Sequence, residues 1–280
     1  MYPDKIFLDM DLYSIFLLVG VIVCMILIRV LADHRKLKAS WQNLALFNAV
    51  IAVVLGYGGA VLFQAFYNYM DDGKFVISNS TGATFYGGLI GGTVMFIIIY
   101  FIAGHFMYKD GYHIKHFRTA SDIAAPCICI AHGFGRLGCL MAGCCHGACT
   151  DAWYGIVMKD LGYKVVPVQL FEALFLFALG ALTLVLYLKK KSYLLPIYMV
   201  AYGLWRFVAE YLRADDRGAT VVDFLSPSQL ISVLLIAGGL AVAAVELYVD
   251  QKKKKAAEAV PPEEADAATQ PPAEEPEIEA

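Results

Sequence analysis

"DLYSIFLLVGVIVCMILIRVL", residues 11–31, decides what kind of protein this is. Between Asp11 and Arg29 it carries no charged side chain, and a helix of about 20 such residues is what roughly 30 Å of hydrocarbon requires. Six more stretches read the same way, at 43–66, 85–107, 120–140, 168–188, 193–213 and 227–249. Lipid offers no partner to an open backbone, so each is expected as an α-helix. The fourth is the least regular, because Gly133, Gly135 and Gly138 interrupt it. The expected class is therefore an all-α polytopic membrane protein with seven transmembrane helices. Composition agrees: 59% of the residues are hydrophobic and only 17% charged, with a mean hydropathy of +0.61. A soluble domain carries more charge and less oil.

Lysine and arginine set the expected orientation. Arg29, Arg35, Lys36, Lys38, Lys109, Lys115, Arg118, Lys189 to Lys191 and Lys252 to Lys255 all fall on one side of the seven spans. They make up fourteen of the 22 basic residues, so that side is expected to be cytoplasmic. The N-terminus then lies outside and the C-terminus inside. "MYPDKIFLDMDLY" is acidic and the apolar run after it has no small-residue cleavage site, so no cleavable signal peptide is expected. Residues 1–250 are expected as the membrane domain. Residues 251–280 carry four lysines at 252–255 and then hold eight acidic residues and five of the ten prolines. Such a segment cannot bury a core and is expected to be a disordered cytoplasmic tail.

Charges inside spans are expensive, about 2.5–3.5 kcal/mol for an arginine at the bilayer centre, and usually mark a task. In "YLLPIYMVAYGLWRFVAEYLR" (193–213), Tyr202, Arg206, Glu210 and Arg213 recur at helical spacing on one face. Arg206 lies about 10 Å inside the outer end. One carboxylate cannot neutralise two guanidiniums, so this face is expected to have positive charge left for an anion. For Arg213 alone, snorkelling to the interface is the simpler account. Arg136 is the second deep cation, flanked by Gly133, Gly135 and Gly138 in "HGFGRLGCLMAGCCHGAC" (132–149). Two arginines on different helices make a plausible clamp for a lipid phosphodiester, since guanidinium matches that anion with paired donors.

Other polar features point to the same outer cavity. "TFYGGLIGG" (84–92) sets Tyr86 beside Gly87 and Gly88 at the mouth of span three. The alternative for these glycines is close helix packing. "PVQLFEAL" (167–174) puts Gln169 and Glu172 on one face of span five. Glu172 falls inside the apolar run and calls for a buried partner. The cysteines Cys139, Cys144, Cys145 and Cys149, beside His146, lack the paired spacing of a zinc site. Packing or a disulfide is favoured for them, and small apolar packing for Cys24, Cys127 and Cys129. No metal, cofactor or nucleic acid is expected.

Three patches in order, "FYGGLIGG", "GRLGCLMAGCCHG" and "YGLWRFVAEYLR", together resemble the bacterial prolipoprotein diacylglyceryl transferase family. Weaker echoes are "LYSIFLLVG", "PVQLFEA" and "SPSQLIS", so the likeness spans roughly residues 11–240. The resemblance implies a multi-pass protein of the bacterial plasma membrane with its site toward the outer face. It implies transfer of a diacylglyceryl group from phosphatidylglycerol to the lipobox cysteine thiol of a prolipoprotein signal peptide, glycerol phosphate leaving as a thioether forms. By the same resemblance Arg136 and Arg206 are essential arginines, Glu210 and Arg213 their supporting pair, Gly147 a functional glycine and Tyr13 a functional tyrosine. Gly138 sits in the same span-four motif.

The chain departs from the family pattern at several of these positions. Tyr86, Cys139, Cys144 and Val166 stand where that pattern often has histidine, asparagine, glutamate and histidine, and an arginine of span two is replaced around Gly58. A tyrosine of ordinary pKa about 10 is a poor general base for a thiol near neutral pH. The expected catalytic set is Arg136, Arg206, Tyr86 and Tyr13, with Gly87, Gly88, Gly138, Gly147, Gln169, Glu172, Glu210 and Arg213 shaping the lipid site. Competing readings are a paralogue with the same lipid donor and another acceptor, a cysteine-based redox or metal-binding membrane protein, and, ranked last, a transporter.

Overall fold

The computed structural model describes residues 10–78, 81, 82, 84–158, 161–213 and 224–258, the side chains of Asp71, Asp72, Phe85, Tyr86 and Ala257 excepted. Eight helices follow in chain order: α1 (Leu12–His34), α2 (Ala39–Asp72), α3 (Phe85–Met107), the single turn α4 (Tyr112–Lys115), α5 (Phe117–Ala142), α6 (Val168–Leu188), α7 (Leu194–Ala209) and α8 (Pro227–Glu258). A small antiparallel hairpin, β1 (Ile156–Val157) with β2 (Lys164–Val165), lies between α5 and α6. The architecture is that of an all-helical polytopic membrane protein. Among the described residues six helices are long and apolar enough to cross a bilayer: α1, α2, α3, α5, α6 and α8.

The stretch 193–213, expected as a full span, gives a shorter helix. α7 has 16 residues, and the chain then tightens into a 3₁₀ turn, Glu210–Leu212. Tertiary contacts end it early. Glu210 is held by Arg206 and by Ser226, and Arg213 forms a backbone bridge to Gly147. At the far end α8 continues as helix through Lys252 to Lys255 as far as Glu258, past the boundary drawn at 250. The rest of the expected tail, 259–280, lies outside the described residues.

α5 is one unbroken helix despite its glycines and Pro126. Its glycines are where neighbours come close: a Cβ on Gly133 would sit 2.7 Å from the Phe177 ring of α6, and one on Gly138 would sit 3.0 Å from the Tyr13 ring of α1. The tight packing these glycines allow offsets their weak helix propensity. α1 and α6 pack on α5, and the α7–α8 pair closes against α5 and α6.

α2 and α3 form a long hairpin packed along its length. Gly56 and Gly59 of α2 meet Gly87, Gly88, Gly91 and Gly92 of α3 backbone to backbone. The hairpin joins the remaining helices at the end that carries the basic loops. There Trp41 Nε1 donates to Tyr100 Oη at 2.9 Å and Tyr100 Oη donates to the His113 carbonyl at 2.8 Å. The basic residues of this end are anchored too: Arg35 stacks 4.6 Å over the Tyr187 ring, and Arg118 makes a two-pronged pair with Asp250 at 2.6 and 2.8 Å. The polar pocket lies at the opposite end, beside the β1–β2 hairpin.

Candidate functional site

Glu172, in the second turn of α6, is completely buried. Its Oε2 lies 3.0 Å from Nε of Arg136 on α5, and its Oε1 accepts a hydrogen bond from Tyr202 Oη of α7 at 2.7 Å. His132, one turn before Arg136, has Nε2 at 3.9 Å from the same Oε1. Three helices thus meet on one carboxylate. Removing any partner from such a group would strand charge in a poorly polarisable interior.

Arg206 follows one turn after Tyr202 and is 5% exposed. Its Nη2 donates to Glu210 Oε2 at 2.6 Å and to Ser228 Oγ at 2.7 Å. Ser226 Oγ in turn donates to Glu210 Oε1 at 2.9 Å. The positive face expected on this helix is therefore neutralised at Arg206. Arg213, further along, has its guanidinium beside Cys145.

Both deep arginines line a single cavity of about 460 Å³. Asp11 and Tyr13 of α1, Leu89 of α3, Cys139 of α5, Cys144, Cys145, and Ser228, Ile231, Ser232 and Leu235 of α8 complete most of its wall. Asp11 caps α1 by accepting from the Ser14 amide at 2.9 Å, and that hydrogen bond holds its carboxyl below the usual range. Tyr13 packs against Gly138 and is 36% exposed. Two arginines on separate helices, each oriented by its own carboxylate, can grip one phosphodiester and stabilise charge that develops on it.

Other candidate residues do different work. Gly87 and Gly88 face α2, against Gly59 and Ala60, so α3 reaches the cavity through Leu89 instead. The Tyr86 side chain lies outside what is described. Gly147 closes the loop after α5: its amide donates to the Val166 carbonyl at 2.8 Å, and a side chain there would collide with the Leu212 carbonyl and with Val168. Gln169 pins the same loop by donating to the Cys144 carbonyl.

That loop reverses sharply, with Gly143 at φ 74° and Cys145 at φ 65°. The reversal brings Cys144 and Cys145 back over Cys139, so that the three Sγ atoms lie within 4.8 Å of one another. Hydrogen bonds to the Cys139 and Cys144 thiols, together with Arg213, hold the Cys145 thiol well below its ordinary range. Cys149 stands apart, in a backbone bridge to Val165.

Residues 5–245 match the family described as prolipoprotein diacylglyceryl transferase. The chain belongs to that family. It is 32% identical over 245 residues to phosphatidylglycerol–prolipoprotein diacylglyceryl transferase 2 of Clostridium perfringens, covering 82% of this chain and 90% of the relative. The Clostridium tetani phosphatidylglycerol–prolipoprotein diacylglyceryl transferase is 28% identical over 251 residues, 85% of this chain and 94% of its own length. A Dehalococcoides mccartyi protein of the same name is 29% identical over 221 residues, 73% and 77% of the two chains. In this member of the prolipoprotein diacylglyceryl transferase family, three polar groups of the site escape a reading of charge in spans. His132 and Ser226 are found only through their contacts with Glu172 and Glu210, and Ser228 only through Arg206. The serines did carry a signal, in the polar interruption "SPSQ" just ahead of an apolar run.

Proposed function

We propose that this chain transfers the diacylglyceryl group of phosphatidylglycerol to the lipobox cysteine thiol of a prolipoprotein. The observation that carries this is the convergence of Arg136 and Arg206 on one cavity, in a chain of the diacylglyceryl transferase family. The thiol S–H bond gives its proton up to solvent, the sulfur forms a bond to the glyceryl carbon, and the carbon–oxygen bond to phosphate breaks with its electron pair leaving on glycerol phosphate. Guanidinium donors held ready in a low-dielectric site stabilise that departing charge, the effect that usually contributes most to catalysis. Glu172 and Glu210 act as positioning residues, each holding one arginine in orientation. Tyr13 lines the approach to Arg136 and Cys139.

The cavity opens toward the outer leaflet, with seven membrane-crossing segments (α7 the shortest), the N-terminus outside and the C-terminus in the cytoplasm. Two observations support that orientation. The basic loops gather at the end away from the cavity, as cytoplasmic loops do. At the cavity end Trp153 is 92% exposed and Phe224 83%, which suits aromatic side chains seated in the headgroup layer.

The decisive experiment measures lipid transfer from phosphatidylglycerol to a lipobox peptide by the purified protein and its Arg136→Ala variant. Turnover is expected to fall by about 10²–10³, the usual loss when one such donor is removed. Full turnover in the variant would remove the clamp from the mechanism. Rescue of lipoprotein maturation in cells lacking their own transferase tests the acceptor.

A further inference from the structure

Three thiols line the same cavity as the two arginines, and the loop that carries two of them is fixed in place. Gln169 holds the Cys144 carbonyl, and Gly147 is bridged to Arg213 and bonded to Val166. The Sγ atoms of Cys139, Cys144 and Cys145 lie within 4.8 Å of one another. Three sulfurs on one tetrahedral zinc, at about 2.3 Å each, sit about 3.8 Å apart, so closure onto a metal requires side-chain shifts of about 1 Å or less. Among the described residues a fourth protein ligand is not in reach: Cys149 lies outside the group, and His146 Nδ1 is engaged with the Gly147 carbonyl at 3.0 Å. Three protein ligands with one open position is the pattern of catalytic zinc, whereas structural zinc is closed by four.

We propose that Cys139, Cys144 and Cys145 bind a soft divalent cation of the zinc class, and that its open fourth position takes the acceptor thiol. The identity of the acceptor rests on the transferase reading above; binding of the metal does not. The acceptor displaces a metal-bound water, its S–H bond breaks and the proton passes to solvent, since a coordinated thiol is deprotonated outright. The metal-held thiolate then attacks the glyceryl carbon as the carbon–oxygen bond to phosphate breaks toward the arginines. The neutral thioether is a weak ligand, and water replaces it. No oxidation or reduction occurs at any step. The metal supplies the thiolate with no side-chain base required.

The test uses the full chain purified in detergent from cells grown with added zinc, its metal content measured by plasma mass spectrometry. About one zinc per chain is expected, lost in Cys139→Ser and in Cys144→Ser and kept in Cys149→Ser. Cys144 is exposed, so its serine variant keeps the test usable if Cys139→Ser fails to fold. Exchange with cobalt(II) should give an intense near-ultraviolet thiolate-to-metal band that changes when a lipobox peptide is added and stays fixed with its serine analogue. Arg136→Ala should keep metal and cobalt response while losing transfer, so failure of the clamp and failure of the metal site are told apart. Protein that takes up neither zinc nor cobalt, or in which two of the three thiols are recovered as a disulfide under these conditions, overturns the site. Bound metal with a cobalt band indifferent to the peptide thiol, or full transfer by metal-free protein, overturns the open position.

Discussion

Glu172 shows how much one side chain can organise. It joins α5, α6 and α7 through Arg136, Tyr202 and the nearby His132. Glu172→Ala leaves a guanidinium without its carboxylate in a dry interior, so a loss of about 3–5 kcal/mol is expected. Thermal unfolding in detergent should show it as a lowered Tm, with Glu172→Gln clearly milder because its amide oxygen still accepts from Tyr202. A Tm unchanged in the alanine variant would mean the pair contributes nothing. Ser228→Ala tests the other arginine. It deletes a hydrogen bond to a charged group, worth about 1.5–3 kcal/mol, and should lower Tm by several degrees and cut turnover roughly tenfold or more; unaltered turnover would show that Ser228 does not orient Arg206. At this scale the sequence exposed the arginines and Glu172, because a charge inside an apolar run stands out. It concealed the thiol cluster, because the spacing of Cys139, Cys144 and Cys145 matches no ligand pattern. Only the left-handed backbone at Gly143 and Cys145 folds it together.

Hydrophobic runs located the helices well. α3 and α6 begin and end where their apolar runs do, α1 and α5 differ from theirs by a few residues, and α2 runs past its own at both ends. Apolar length is imposed by the bilayer and so is written in composition. The end of α7 was not legible, because contacts from Ser226 and Gly147, distant in sequence, decide it. The glycines of span three were legible as glycines but not in their purpose, which depends on what α2 presents to them. That purpose can be tested by a pair of substitutions. A Cβ on Gly87 would press on Phe63 and come within 2.8 Å of the Gly59 carbonyl, whereas one on Gly58 meets nothing within 4 Å. Gly87→Ala should therefore cost about 1–3 kcal/mol by overpacking. Gly58→Ala should be neutral or stabilise by up to about 1 kcal/mol, since glycine is the poorer helix former. Equal unfolding temperatures for the two variants would contradict the packing of α2 on α3.

Taken as a whole, the molecule is tied together at its basic end by Trp41, Tyr100 and His113, and by Arg118 with Asp250. α3 packs chiefly on α2 and α4. On the cavity side it contributes Leu89, and α8 contributes Leu235. A lipid with two acyl chains has to bring its headgroup to Arg136 and Arg206 while its tails stay in hydrocarbon. A side entrance between two apolar helices satisfies both demands, and Leu89 is 42% exposed at that wall. We therefore predict that Leu89→Trp narrows the lipid route without touching the arginines. The KM for phosphatidylglycerol should rise roughly tenfold, about 1.4 kcal/mol of lost binding, with kcat and Tm close to those of the parent chain. Tryptophan remains apolar, so the helix keeps its place in the bilayer and the change is one of bulk alone. A variant with parent-like KM would show that the lipid reaches the arginines elsewhere. A loss confined to kcat would instead assign Leu89 to the reacting geometry and not to the entrance.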